Sequence, residues 1–223
     1  MRCCSWLAVV ALLVAAPAQA TLLKDGGFER PTPSRGLIND NDYASMPGRS
    51  GKRSWDVWRE IGAWSTVAGH GIEVQTRRTI RGAAPHSGDY YVELDSHPGG
   101  ASSNTTMAQM VNLDPGAYRL SYWYQPRTHR SGDNGLEVLW DGVRIGRHDE
   151  TSRTQAGWLQ HVADVHVATA GDHTLEFTAF GGANTLGALI DTVELNRVPE
   201  PGMWPLLGAG LAALAYLRRH RSA

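Results

Sequence analysis

The chain has 223 residues, with 21 basic against 22 acidic side chains, a net charge of −1, and 25 glycines. A balance this close to neutral excludes an electrostatic case for nucleic acid, or for an acidic polymer, as partner. Abundant glycine and a charged fraction of 19% suit many short strands joined by tight turns. At the N-terminus, Met1-Arg2 is followed by an apolar run from Trp6 to Ala16 and the small-residue site Pro17-Ala18-Gln19-Ala20. That order is the pattern of a secretory signal peptide over residues 1–20, cut by signal peptidase after Ala20. Cys3 and Cys4 leave with it, so the mature chain is expected to hold no thiol, disulfide or cysteine-based metal site.

Residues 21–197 have a length that suits one domain with a substantial core. The stretch from Pro31 to Ser54 is rich in Pro, Gly, Ser, Arg and Asn, and predicts a long surface loop, 31–54, between a first strand and Trp55. Beyond it, strands are expected at Ile72–Thr76, Tyr90–Asp95, Thr106–Leu113, Tyr118–Tyr124, Leu136–Trp140 and Val143–Ile145, and then at Leu159–Val167, Thr174–Phe180 and Leu186–Leu195. Asp141-Gly142 between two of these is the signal of a tight hairpin whose turn matches strand twist. No stretch of the body has a 3.6-residue apolar period. The expected fold class is therefore all-β, an antiparallel β-sandwich or jelly roll.

Alternation divides the middle strands into faces. Tyr90, Val92 and Leu94, with Tyr118, Leu120, Tyr122 and Tyr124 and with Leu136, Val138 and Trp140, read as core. The opposite sides carry Tyr91, Glu93 and Asp95, Arg119, Ser121 and Trp123, and Glu137. Trp123 is a large ring among polar neighbours. A face of rings and charged groups suits sugar, because rings stack on C–H faces while charged groups bond hydroxyls. The candidate ligand residues are therefore Trp123, Tyr91, Glu93, Asp95 and Arg119. The alternative is that Trp123 and Tyr91 are covered by a loop such as 31–54. In the last strand, Leu189, Asp191, Val193 and Leu195 share a face by alternation, which points Asp191 inward, where it needs a cation, an arginine or backbone amides.

Catalysis has little support in the sequence. Glu93 and Asp95 could form a carboxylate pair, but two acids on a strand face are ordinarily polar surface. The histidines before the tail are scattered, with no H-x-H or H-E-x-x-H spacing, and no G-x-S-x-G or phosphate-binding loop occurs. The expectation is a protein that is not an enzyme, with catalytic residues: none.

Val198-Pro199-Glu200-Pro201-Gly202 opens the tail, residues 198–223, followed by an apolar run from Met203 to Leu217 and then Arg218-Arg219-His220-Arg221. As a helix that run spans about 22 Å, short of the ~30 Å hydrocarbon core. The arginines should stay cytoplasmic, which places the body outside in agreement with the signal peptide. A permanent single-helix anchor is the alternative to processing.

This tail resembles the PEP-CTERM sorting signal, with Pro199, Glu200 and Pro201 as its motif. The resemblance implies transient tethering in the inner membrane of a Gram-negative bacterium, then cleavage by an exosortase-type protease and release or attachment at the cell surface. Leu22-Leu23-Lys24-Asp25-Gly26-Gly27-Phe28-Glu29 also looks like the opening of galactose-binding-like sandwich modules, with Asp25 where Asn is usual. Leu189-Ile190-Asp191-Thr192-Val193-Glu194-Leu195 resembles their closing strand. That resemblance implies the fold, and a structural calcium held in part by Glu29 and Asp191. The combined expectation is a non-catalytic surface or matrix protein that binds glycan, the producer's own exopolysaccharide in particular. A structural or adhesive protein making protein–protein contacts is the alternative, and a polysaccharide hydrolase or lyase the third reading.

Overall fold

The computed structural model describes residues 21–46, 54–77, 79–80, 83–100, 103–154 and 156–199, with residues 208, 210 and 218. The signal segment, Glu200 and Pro201 lie outside the described residues, as does most of the apolar tail. Two six-stranded antiparallel sheets pack face to face. The front sheet runs in the order β1 (Trp55–Trp58), β4 (Ile72–Thr76), β5 (Tyr90–Glu93), β12 (Leu189–Arg197), β7 (Gly116–Gln125) and β10 (Leu159–Val167). The back sheet runs β2 (Glu60–Ile61), β3 (Trp64–Ala68), β6 (Thr106–Leu113), β11 (Gly171–Phe180), β8 (Gly135–Trp140) and β9 (Val143–His148). The all-β sandwich expected from the alternation is the fold observed.

The inner faces make the core as alternation requires. Tyr90, Val92 and Leu94 join Tyr118, Leu120, Tyr122 and Tyr124 from the front, against Leu136, Val138, Trp140, Leu175 and Phe177 from the back. The β8–β9 hairpin pairs Trp140 with Val143 across Asp141-Gly142. Both turn residues have positive φ, 49° and 75°, which is the turn that Asp-Gly favours.

One expectation fails. Leu22–Glu29 is not a strand but a run of turns laid beside β12, where the Leu22 amide donates to the Leu195 carbonyl at 2.8 Å. The described part of the segment after it, residues 31–46, holds no strand and is mostly exposed, but it is anchored to the core. Residues 43–45 form a short 3-10 helix, and Tyr43 and Met46 are core residues. The Tyr43 ring lies 4.9 Å from that of Trp58 and 4.8 Å from that of Tyr90, and its hydroxyl donates to the Phe28 carbonyl at 2.5 Å.

What holds this segment down is Asp56 in β1, fully buried. Its carboxylate accepts from the amides of Ile38 at 2.9 Å, Asn39 at 3.1 Å and Asn41 at 2.9 Å. Each buried amide left without an acceptor costs roughly 1–3 kcal/mol. Asp56→Ala should therefore lower the unfolding free energy by about 3 kcal/mol or more, measured by urea titration. A variant as stable as the parent would show that the segment is held by Tyr43 and Met46 alone.

Candidate functional site

The face expected to bind ligand is covered over most of its width. Tyr91 and Glu93 are 0% exposed and Asp95 1%. Tyr91 and Leu189 pack beneath Ala83, Ile80 and Trp158, and the Trp158 indole donates to the Ala84 carbonyl at 2.9 Å. Trp123 is half-buried, with the His86 ring stacked on it at 3.8 Å and 18°. The cover is Ile80, Ala83 and His86 of the β4–β5 connection together with Trp158, and none of it comes from the described part of residues 31–54. Arg119 alone of the five is exposed, and it pairs with Asp164 of β10 at 2.8 Å. Trp123 and Tyr91 thus share one covered patch, while Glu93, Asp95 and Arg119 belong to three different settings. The alternation correctly separates this face from the core, but it carries no information about what covers it.

Glu93 belongs to a buried polar network that sequence reasoning missed. Arg127, from the loop after β7, donates to both of its oxygens at 2.7 and 2.6 Å. Gln75 of β4 donates to Glu93 at 2.5 Å and to Glu73 at 2.7 Å. Glu73 also accepts from the His97 amide at 3.0 Å and lies 2.8 Å from the His97 ring nitrogen. Burial drives the Glu93 carboxyl well above the usual range and Glu73 adds to this, with Arg127 opposing both. Glu73 and Gln75 were visible as polar residues two apart in Ile72–Thr76, whereas nothing in the sequence joined Arg127 to them. Asp95 is committed elsewhere, accepting from the amides of Asn184 at 3.0 Å and Leu186 at 3.1 Å and from the Ser103 hydroxyl.

Asp191 is buried, but not on the face that alternation gave it. A register shift between Asp191 and Glu194, with Thr192 at φ 49°, changes the phase of β12. Val193 and Leu195 enter the core, while Leu189 and Asp191 face outward under the Ser87 segment. Asp191 accepts there from the amides of Ser87 at 3.0 Å and Thr192 at 2.6 Å. The opening turn lies close by: the Val193 amide donates to the Gly26 carbonyl at 2.9 Å, and a Cβ on Gly26 would sit 1.8 Å from the Val193 carbonyl oxygen. Glu29 accepts from Asp89 and Tyr90 at 2.9 and 3.0 Å, and Asp25 from Glu29 and Arg30 at 2.8 and 3.1 Å.

Burial raises the carboxyl pKa of Asp25 and of Glu29, and takes Asp191 up to about 7, in each case against the amides that lower it. Asp25 Oδ2 is buried without a hydrogen-bond partner. Asp25 and Asp191 are thus carboxylates held out of water near the opening turn, one of them with an unpartnered oxygen, while Glu29 lies at the surface beside them.

Asp191 binds a proton in the folded state between its unfolded pKa of 3.8 and about 7, where the unfolded chain has lost it. Its contribution is therefore fullest below about pH 4 and is lost as the pH rises to about 7. In chelator, urea titrations at stepped pH should show stability falling more steeply across that window for the parent than for Asp191→Asn. Equal slopes for the two proteins would contradict the raised pKa.

A cleft of about 580 Å³ lies between residues 31–37 and the β1–β2 corner. Pro31, Pro33 and Leu37 give it apolar walls against the buried Trp58, and Thr32, Ser34, Arg35, Arg59 and Glu60 supply hydrogen-bonding groups. The Trp58 indole donates to the Ser34 carbonyl at 3.1 Å, which fixes one wall against the other. No residue of this cleft was singled out from the sequence, because its walls come from a segment without periodicity.

Residues 197–221 match the PEP-CTERM protein-sorting motif, so the chain carries that motif at its C-terminus. Over 137 residues the chain is 28% identical to the multifunctional-autoprocessing repeats-in-toxin of Vibrio cholerae, a match covering 60% of this chain and 3% of the toxin. Among solved structures it resembles a cleaved adhesin domain of Lys-gingipain from Porphyromonas gingivalis, at 17% identity and a TM-score of 0.47, covering 67% of this chain and 100% of that one. It also resembles the CBM22-1 xylan-binding domain from Paenibacillus barcinonensis, at 12% and 0.47, covering 83% and 99%. A family 35 carbohydrate binding module from Clostridium thermocellum aligns at 14% and 0.39, covering 60% and 98%. These are likenesses of fold. Among the described residues no helix is long and apolar enough to cross a membrane.

Proposed function

We propose that the chain is an exported, surface-sorted protein that binds glycan without catalysis, through the cleft between residues 31–37 and the β1–β2 corner. The cleft itself carries this reading. Its volume suits a small ligand or a short stretch of polymer. Apolar walls beside two arginines, a glutamate and two hydroxyls match the alternation of C–H faces and hydroxyls on a sugar. Glu60 is the one carboxylate among the lining residues, whereas hydrolysis by paired carboxylates needs two. Glu93 and Asp95 are engaged by Arg127 and by loop amides respectively, which leaves neither free to act.

Export is read from the sorting motif, and in this reading an exosortase-type protease removes the tail after transient inner-membrane tethering. In this reading a structural calcium is held in part by Glu29 and Asp191, beside Asp25. There it would tie the opening turn to β12 and keep Asp191 ionised at neutral pH.

A glycan array with the purified protein, with and without calcium, tests the binding. Retention of a neutral or mildly charged polysaccharide is expected. Arg35→Ala, Arg59→Ala and Glu60→Ala should each weaken it about fivefold or more, the loss of roughly 1 kcal/mol of contact. Binding that survives all three but is lost in Arg119→Ala would move the site to the front sheet. No binding to any glycan would overturn the reading in favour of an adhesive protein.

A further inference from the structure

At one edge of the sandwich, β9 of the back sheet and β10 of the front sheet end their sheets side by side. A cluster of side chains sits there that neither the cleft nor the opening turn uses. His148 closes β9, His161 lies in β10, and Glu150 is in the connection between them. One ligand-type atom from each lies within 4.8 Å of the others. The two imidazole centroids are 3.7 Å apart, and Tyr122 and Tyr124 of β7 pack their rings against both.

Two atoms of this cluster are buried without a hydrogen-bond partner, His161 Nε2 and Glu150 Oε2. An unpaired buried polar atom is costly, and two in one cluster with a third ligand call for a shared occupant. His148 supplies that third ligand. Its Nε2 lies 2.6 Å from the Tyr122 hydroxyl oxygen, and its Nδ1 lies 3.9 Å from Glu150 Oε1. With the proton on Nε2, donated to Tyr122, the Nδ1 lone pair is free on the side of Glu150. That is the outer hydrogen bond that fixes the tautomer of a metal-bound histidine.

We infer that His148 Nδ1, His161 Nε2 and the Glu150 carboxylate bind a divalent transition-metal ion of the zinc class, which clips β9 to β10. Two imidazoles and one carboxylate select such an ion over calcium or magnesium. Around tetrahedral zinc, ligand atoms stand about 3.3 Å apart, so the side chains close by no more than about 1.5 Å from their present spacing. A water takes the fourth position. Burial and the neighbouring His161 lower the His148 pKa to about 4, and burial lowers that of His161, so both are neutral and ligand-competent at pH 7. The ion joins the two sheets at their open edge, where a chain whose cysteines lie at positions 3 and 4 has no disulfide to do so.

Zinc titration of the purified full chain, read by calorimetry and by thermal melting, tests the site. Cys3, Cys4 and His220 also belong to that chain, so each result is compared with His161→Gln and Glu150→Gln in the same background. The parent should take up one zinc equivalent that both variants lose or bind at least tenfold more weakly, and zinc should raise the melting temperature of the parent alone. Magnesium should not. Glu150 is half-buried and outside the strands, so Glu150→Gln should keep the parent's far-ultraviolet circular dichroism and carries the test if His161→Gln fails to fold. Zinc uptake equal in parent and Glu150→Gln, or no saturable uptake by the parent, would overturn the site.

Discussion

Main-chain amides in loops that lie over a sheet have no ladder to join, and burying them unpaired is costly. In this sandwich, carboxylates pair them. Asp56 holds the amides of residues 38, 39 and 41, Asp191 that of Ser87, Glu29 those of Asp89 and Tyr90, and Asp95 those of Asn184 and Leu186. Each bond runs between segments far apart in sequence, so each fixes a long connection to a strand or to the opening turn. Charge-assisted bonds of this kind are about twice as strong as neutral ones. They stand where an exported domain would often use disulfides.

This constraint shapes every surface on which function is placed. The cleft exists because Asp56 draws residues 36–41 onto β1, and the Trp58–Ser34 bond then sets its width. The outer face of the front sheet is closed because Asp191 and Glu29 draw the Ser87–Tyr90 segment down, which brings His86 onto Trp123 and Ile80 and Ala83 onto Tyr91. The same burial that makes these carboxylates effective raises the pKa of Asp25, Glu29 and Asp191 together at the opening turn. An ion there would relieve a cost that the loop anchoring itself creates.

Much of this fold is legible in the sequence because period-two alternation survives wherever one strand face meets the core. β6, β7, β8, β10 and β11 fall where alternation puts them. Trp55–Trp58 is different. Asp56, Val57 and Trp58 are all buried, so β1 has no polar face to announce it. Asp191 is buried as inferred, yet the reason given for it fails at the bulge, since the left-handed conformation of Thr192 leaves no trace in residue type. Tyr91, Glu93 and Asp95 alternate as a polar face should, and only distant segments decide whether such a face meets solvent or a covering loop. His148, Glu150 and His161 were equally hidden, because their proximity depends on two edge strands of opposite sheets lying side by side.

The sandwich depends on its loop amides being held as firmly as its ladder amides. Native-state hydrogen exchange, resolved to single residues, measures that directly. The amides of Ile38, Asn39, Asn41, Ser87, Tyr90, Asn184 and Leu186 should show protection approaching that of the central strands β7 and β12. Exchange of these amides at the rate of open loops, while β7 and β12 stay protected, would contradict the claim that carboxylates fasten the loops to the sandwich.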